Sequence, residues 1–258
     1  MSRFINLEFA DDANNEFQPD RQTPVKDEAF YLAEARTAFE NGRFEPALRL
    51  YSKVLEYNAK NVAAWAGQVR MLIELGEYRE AKLWADKALE RFPHEPELLA
   101  AKAVALARGG DLQAAITFSD ASIEERGDTP YIWLARGDVL LARGETRADY
   151  CFEKALLLAP HDWFIAWLTA RIRFYYGQLV LALKYIQQAV EVNPAHFLLW
   201  LQQGHCQEAL GLIGPAENSF RQARLLNPKC EEADLALLRA SQAGFFTRLC
   251  GRLRQLFK

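Results

Sequence analysis

The chain has 258 residues, 50% hydrophobic and 25% charged, with a formal net charge of -3. This is an ordinary globular balance, long enough for one or two domains with a sizeable core. It excludes a chain-wide basic footprint for nucleic acid. No apolar run approaches the ~18 residues of a membrane span, and no basic segment followed by an apolar one marks a signal peptide.

Residues 1–27 form an acidic leader rich in Asn, Asp and Pro. Such a composition buries too little apolar surface to order a chain, so the leader is predicted to be mostly disordered. Within it FINLEF alternates like a strand that could add to a partner, against the plainer reading of an unstructured tail. From Glu28 a period begins. Glycines recur at Gly42, Gly76, Gly110, Gly144, Gly177 and Gly211, 34 residues apart except for one step of 33. Alanines follow five residues later at Ala47, Ala81, Ala115, Ala182 and Ala216, and four residues later at Ala148. A helix-ending residue recurs in phase at Pro93, Gly127, Pro160, Pro194 and Pro228, with Ala59 in the first repeat. Self-similarity at this period means stacked supersecondary units.

Each unit carries two helical patterns, as in NVAAWAGQVRMLIELG followed by EYREAKLWADKALERFP. Glycine can take positive φ where the chain reverses. Alanine lets the second helix lie close to the first, and proline ends the second helix. Two such helices bury too little alone, so neighbours must stack into a solenoid. Residues 231–244 carry one more helical period, predicted to cap the stack with a polar outer face. The last stretch, 245–258, reads as a basic amphipathic helix. Phe245, Phe246, Leu249, Leu253, Leu256 and Phe257 supply its apolar stripe, and Arg248, Arg252, Arg254 and Lys258 its charge. That combination suits an anionic membrane surface, an acidic partner or the solenoid's own end.

These residues resemble the tetratricopeptide repeat (TPR) family, whose pattern is W-x2-L-G-x2-Y, then A-x3-F, then P. Trp65, Trp133 and Trp200 hold the tryptophan position, and Gly137 and Gly204 the first small position. Ala148-x3-Phe152, Ala216-x3-Phe220 and Ala47-x3-Tyr51 match the second helix. The third repeat departs with Leu99 and Ser119, and the fifth with Ala166 and Arg173. The resemblance spans about Glu28 to Cys230. It implies an all-α, right-handed α-solenoid of about six helix–turn–helix repeats, spanning residues 28–230, with a C-terminal capping helix. It also implies a concave groove lined by the first helices.

The stretch WFIAWLTARIRFYYG, starting at Trp163, is apolar on two sides. At 100° per residue Ile165, Thr169, Ile172 and Tyr176 share one face, which should enter the core. Phe164, Trp167, Arg171 and Phe174 share the other, with Tyr175 beside them, and by the family resemblance face the groove. The corresponding positions elsewhere include Arg36, Phe39, Arg70, Tyr131, Leu134, Asp138, Leu201 and His205. Aromatic residues and arginine dominate binding hot spots. The expected ligand is therefore a helix or extended segment of another protein, apolar with some acidic residues. The competing readings are rings packed on the chain's own first helices or leader, and a homo-oligomeric scaffold sharing this surface. A further alternative is a membrane-associated assembly factor tethered by residues 245–258. The chaperone-carboxylate clamp of some TPR domains is absent, since its positions hold Leu32, Arg36, Gly67, Glu97 and Ala101.

No phosphate loop, H-E-x-x-H, G-x-S-x-G or metal-spaced Cys/His set occurs. His94, His161 and His196 sit in turns after the repeats, and His205 and Cys206 point to different helix faces. Cys151, Cys206, Cys230 and Cys250 are widely spaced, as in a reduced cytoplasm. The sequence is thus expected to be a cytoplasmic, non-enzymatic adaptor with no cofactor or metal and no nucleic-acid partner, with a peripheral place at the inner face of a membrane as the alternative.

Overall fold

A computed structural model describes residues 26–125 and 128–241. These form thirteen helices in six consecutive hairpins followed by one further helix. The first helices are α1 (Glu28–Glu40), α3 (Val62–Glu74), α5 (Pro96–Arg108), α7 (Pro130–Ala142), α9 (Trp163–Tyr175) and α11 (Phe197–Ala209). The second helices are α2 (Phe44–Tyr57), α4 (Tyr78–Arg91), α6 (Leu112–Glu124), α8 (Ala148–Leu158), α10 (Leu179–Val192) and α12 (Ile213–Leu226). Helix α13 covers 231–241.

The repeating residues do the local work the period assigns to them. The six phased glycines all have positive φ, from 68° to 95°. At Gly76 (φ 80°) the amide of Glu77 donates to the Leu72 carbonyl at 2.9 Å, closing the first helix with a left-handed cap. Three second-helix rings seat where the facing first helix has no side chain. A Cβ on Gly137 would lie 2.7 Å from the Phe152 ring, and Gly67 and Gly204 receive Tyr51 and Phe220 in the same way. The tryptophans fasten one hairpin to the turn before it. The Trp65 and Trp200 indoles donate to the carbonyls of Ala59 and Pro194 at 3.0 and 2.7 Å.

The missing residue of the fourth repeat shortens α8, which begins at Ala148 itself. In the fifth repeat Arg173, which replaces the family tyrosine, is fully buried. It donates to Asp149 Oδ1 at 2.7 Å and Gln178 Oε1 at 2.6 Å, with its guanidinium over the Phe152 and Tyr185 rings.

First helices form the inner layer, and the central ones, α3, α5, α7 and α9, bury most of their residues. Second helices bury one stripe, as in Ala81, Ala85 and Ala88 of α4. Helix α13 packs Ala233, Ala236 and Ala240 against Phe220. Its outer side carries exposed Leu235 and Leu238 rather than a purely polar face. The row of hairpins curls until its ends meet. The Phe39 ring of α1 lies 4.9 Å from Phe164 and 6.4 Å from Trp167 of α9. Leu198 of α11 sits against the turn at Gly42.

Candidate functional site

The curl divides the inner axis into three parts. At the N-terminal ends of the first helices lies an open cup of about 660 Å³. Its wall includes Ala29 and Leu32 of α1, Ala63 of α3, Glu97 of α5, Tyr131 of α7 and Phe164 of α9. Beneath it the axis narrows to a void of about 30 Å³, room for about one water. At the other end a smaller hollow of about 200 Å³ is lined by Glu74, Tyr78, Arg108, Arg171 and Tyr175.

Charged groups close the middle. Arg108 pairs with Asp138 at 2.6 Å, both almost wholly buried. The Tyr176 hydroxyl donates to the same carboxylate at 2.7 Å. Burial works against the charge on Arg108, but Asp138 outweighs it and holds the guanidinium charged. Arg171 reaches across the axis to Glu74 at 2.5 Å. Burial pushes the Glu74 carboxyl up, yet Arg171, Arg108 and Arg70 together hold it below the usual range. The Tyr78 hydroxyl donates to that of Tyr175 at 3.2 Å, and burial with this bond raises its pKa to about 12.

The structure therefore splits the residues that the sequence assigns to one groove. Phe39, Leu134, Asp138, Trp167 and Leu201 are buried by the chain's own atoms. They are not free groove surface: α9 meets α1 at Phe39 and Trp167, and Leu201 packs in the cluster of α12 and α13. On α9 the predicted core face is buried at Ile165, Thr169 and Ile172, but Leu168 and Arg173 are buried as well. Both sides of this helix are thus occupied from within. Arg36, Arg70, Tyr131 and Phe164 line the cup. Arg171 and Tyr175 line the hollow at the opposite end. Phe174 is half-buried against the core. His205 is engaged with Glu232 of α13 at 3.2 Å.

Glu74 was missed by the sequence reading, although it lies four residues after Arg70 and one turn along the same helix face. Tyr51, matched in the sequence only to the second-helix motif, also lines the cup. Tail residues Phe245 to Lys258 and leader residues 1–25 lie outside the described residues.

The remaining chemistry is quiet. Among the described residues no group of three or more His, Cys, Asp or Glu side chains could hold a metal ion, and no helix is long and apolar enough to cross a membrane. Cys151, Cys206 and Cys230 are unpaired. Burial pushes the Cys206 thiol up to about 11 and the Cys151 thiol up as well, the opposite of an activated nucleophile.

A tetratricopeptide repeat family model matches residues 38–105. The chain is similar in structure to a thermophilic TPR protein of Thermus thermophilus, with a TM-score of 0.54 and 23% identity over 71% of this chain and 98% of that one. It is also similar to a tetratricopeptide repeat protein of Parabacteroides merdae, with a TM-score of 0.53 and 18% identity over 86% and 87%. Human IFIT1, solved as a dimer with m7Gppp-AAAA, gives a TM-score of 0.51 and 20% identity over 88% of this chain and 59% of that one. No curated protein matches the sequence.

Stacked hairpins around a shared inner layer define an all-α repeat solenoid. With the repeat motifs in register from Glu28 onward, the family model over residues 38–105 and these likenesses, the chain has the tetratricopeptide repeat fold.

Proposed function

We propose that the protein is a non-enzymatic adaptor that holds a short segment of another protein in the cup at the N-terminal ends of α1, α3, α7 and α9. One observation carries this reading. After the solenoid has buried Phe39 and Trp167 against each other, a hollow of about 660 Å³ still stands open, walled by Leu32, Tyr131 and Phe164. Its size falls in the range of ligand sites, about 300–1,000 Å³, and its mixture of apolar wall and a few polar groups is the usual one. The free thiols of Cys151, Cys206 and Cys230 fit a reducing, cytoplasmic setting.

Ala33 tests this reading without disturbing the core, because it is exposed and lines the cup. An Ala33→Trp chain should fold with an unchanged melting temperature and lose a partner that the parent chain retains from its native cell. That partner, purified, should then bind the parent chain in solution and be at least about tenfold weaker towards the variant, a loss of roughly 1.4 kcal/mol. A purified partner that binds both chains equally would remove the cup from the function.

A further inference from the structure

We propose that the cup is selective for acidic segments, with the Arg70 guanidinium as the seat for an Asp or Glu side chain flanked by apolar residues. This rests on the adaptor reading above and narrows it to one class of partner.

The observation is an imbalance among the arginines of the inner axis. Arg36 pairs with Glu40 at 2.9 Å, Arg108 with Asp138 and Arg171 with Glu74. Arg70 has neither an ion pair nor a hydrogen bond among the described residues. Its natural intrahelical partner, Glu74 at i+4, is taken across the axis by Arg171. What holds Arg70 instead is stacking. Its guanidinium carbon lies 3.8 Å from the Tyr131 ring centroid and 5.1 Å from that of Phe39. Ring faces steady a guanidinium and attract its charge, but they leave its in-plane N–H donors without acceptors. Those donors form the fork that a carboxylate satisfies best.

The acids in the cup wall are already engaged. Glu97 accepts from the Thr129 hydroxyl at 2.9 Å, and Asp162 accepts from the Phe164 amide at 2.9 Å. Both acids keep their charge, so Arg36, Arg70, Glu97 and Asp162 leave the wall formally neutral, with Arg70 the one of the four that holds no hydrogen bond among the described residues. The first turns of five helices line the mouth of the cup, through Ala29, Ala63, Glu97, Tyr131 and Phe164, and their N-terminal ends favour an anion there. The neighbours of Arg70 in the cup are apolar or aromatic, Leu32, Phe39, Tyr51, Phe164 and Ile165 among them. A strongly hydrated small anion gains nothing from such walls, whereas a carboxylate carried between Leu or Phe residues uses both. Below Arg70 the axis is closed by the Phe39–Trp167 contact and the Arg108–Asp138 pair, so a partner chain cannot thread through. It must lie across the mouth and lower a side chain.

The test uses the full chain and fluorescence anisotropy with a labelled, doubly capped peptide Gly-Phe-Glu-Leu-Glu-Phe-Gly. The same peptide with Gln for Glu and a 5′-triphosphate tetra-adenylate RNA serve as the other two probes. The Glu peptide should bind saturably below about 1 mM and weaken as sodium chloride is raised. Both Arg70→Gln and the Gln peptide should cost about tenfold or more, the size of a lost charge-assisted hydrogen bond. Arg70→Lys should fall between, because it keeps the charge but loses the fork.

Equal binding of the Glu and Gln peptides, both abolished by Ala33→Trp, would overturn the acidic selectivity and leave the adaptor reading standing. No binding of either peptide would overturn the proposal as well. RNA binding tighter than the peptide's, and lost in Ala33→Trp, would reassign the cup to phosphate. The peptide exchange needs no variant protein, so the proposal stays falsifiable even if Arg70→Gln fails to fold.

Discussion

At the scale of single residues, the inner axis shows how charge is tolerated inside a repeat protein. Removing one member of the Arg108–Asp138 pair would strand the other without a partner, which is why such pairs are costly to break though often weak in net worth. Glu74 offers the cleaner test, because its partner comes from three repeats away. Its folded pKa is held below the ordinary carboxylate value. The stability it contributes is therefore fully present above about pH 4.3, the unfolded value, and is lost as pH falls through the lower folded value. Glu74→Gln should lower unfolding stability by about 1.5–3 kcal/mol at pH 7, the worth of a hydrogen bond to a charged group. The gap should hold when urea midpoints are taken at pH 5 and shrink at pH 3. A gap of the same size at pH 3 would mean that shape, not the carboxylate charge, is what Glu74 supplies.

Whole elements were the most legible part of the sequence. The phased Gly, Ala and Pro residues place the twelve hairpin helices, since each residue type has one job at a bend, a close approach or an exit. Less legible was what replaces a consensus residue. Arg173 read as a departure from tyrosine, and only the structure shows it sandwiched between Phe152 and Tyr185 with Asp149 taking its charge. The helix-on-helix fit makes a sharp prediction at Gly137. Alanine there gains helix propensity, about 1 kcal/mol. Its Cβ, however, would sit 2.7 Å from a Phe152 ring that is fully buried and has nowhere to move. Overpacking of this kind costs about 1–3 kcal/mol, so the net should be a loss of up to about 2 kcal/mol. Gly214, in the first turn of α12 with open space around its Cα, is the control. Gly214→Ala should be neutral or slightly stabilising in the same urea titration. A Gly137→Ala chain as stable as the parent would show that Phe152 is not locked against the first helix.

Across the whole molecule, the curvature was hidden from the sequence. It accumulates from a small rotation at each repeat, and no local pattern encodes the sum. That is why Trp167 and Phe39 read as rings awaiting a partner when they are partners of each other. The closed ring predicts energetic coupling between the first and fifth repeats, which share no hairpin. In an open solenoid Phe39→Ala and Trp167→Ala would act on separate stretches of core, and their effects would add within about 0.5 kcal/mol. In the closed arrangement the two rings lose the same contact, so the double variant should be less destabilised than the sum by about 0.5–3 kcal/mol. Each single change should itself cost about 3–5 kcal/mol, the usual loss for a buried aromatic cut to alanine. The cycle reads the contact directly, because a ring that merely filled its own repeat would show no such shortfall. Small-angle scattering on Phe39→Ala supplies the geometric counterpart. Release of α9 from α1 should raise the radius of gyration while helix content stays constant, and an unchanged radius together with additive energies would mean that the ends of the solenoid do not hold each other in solution.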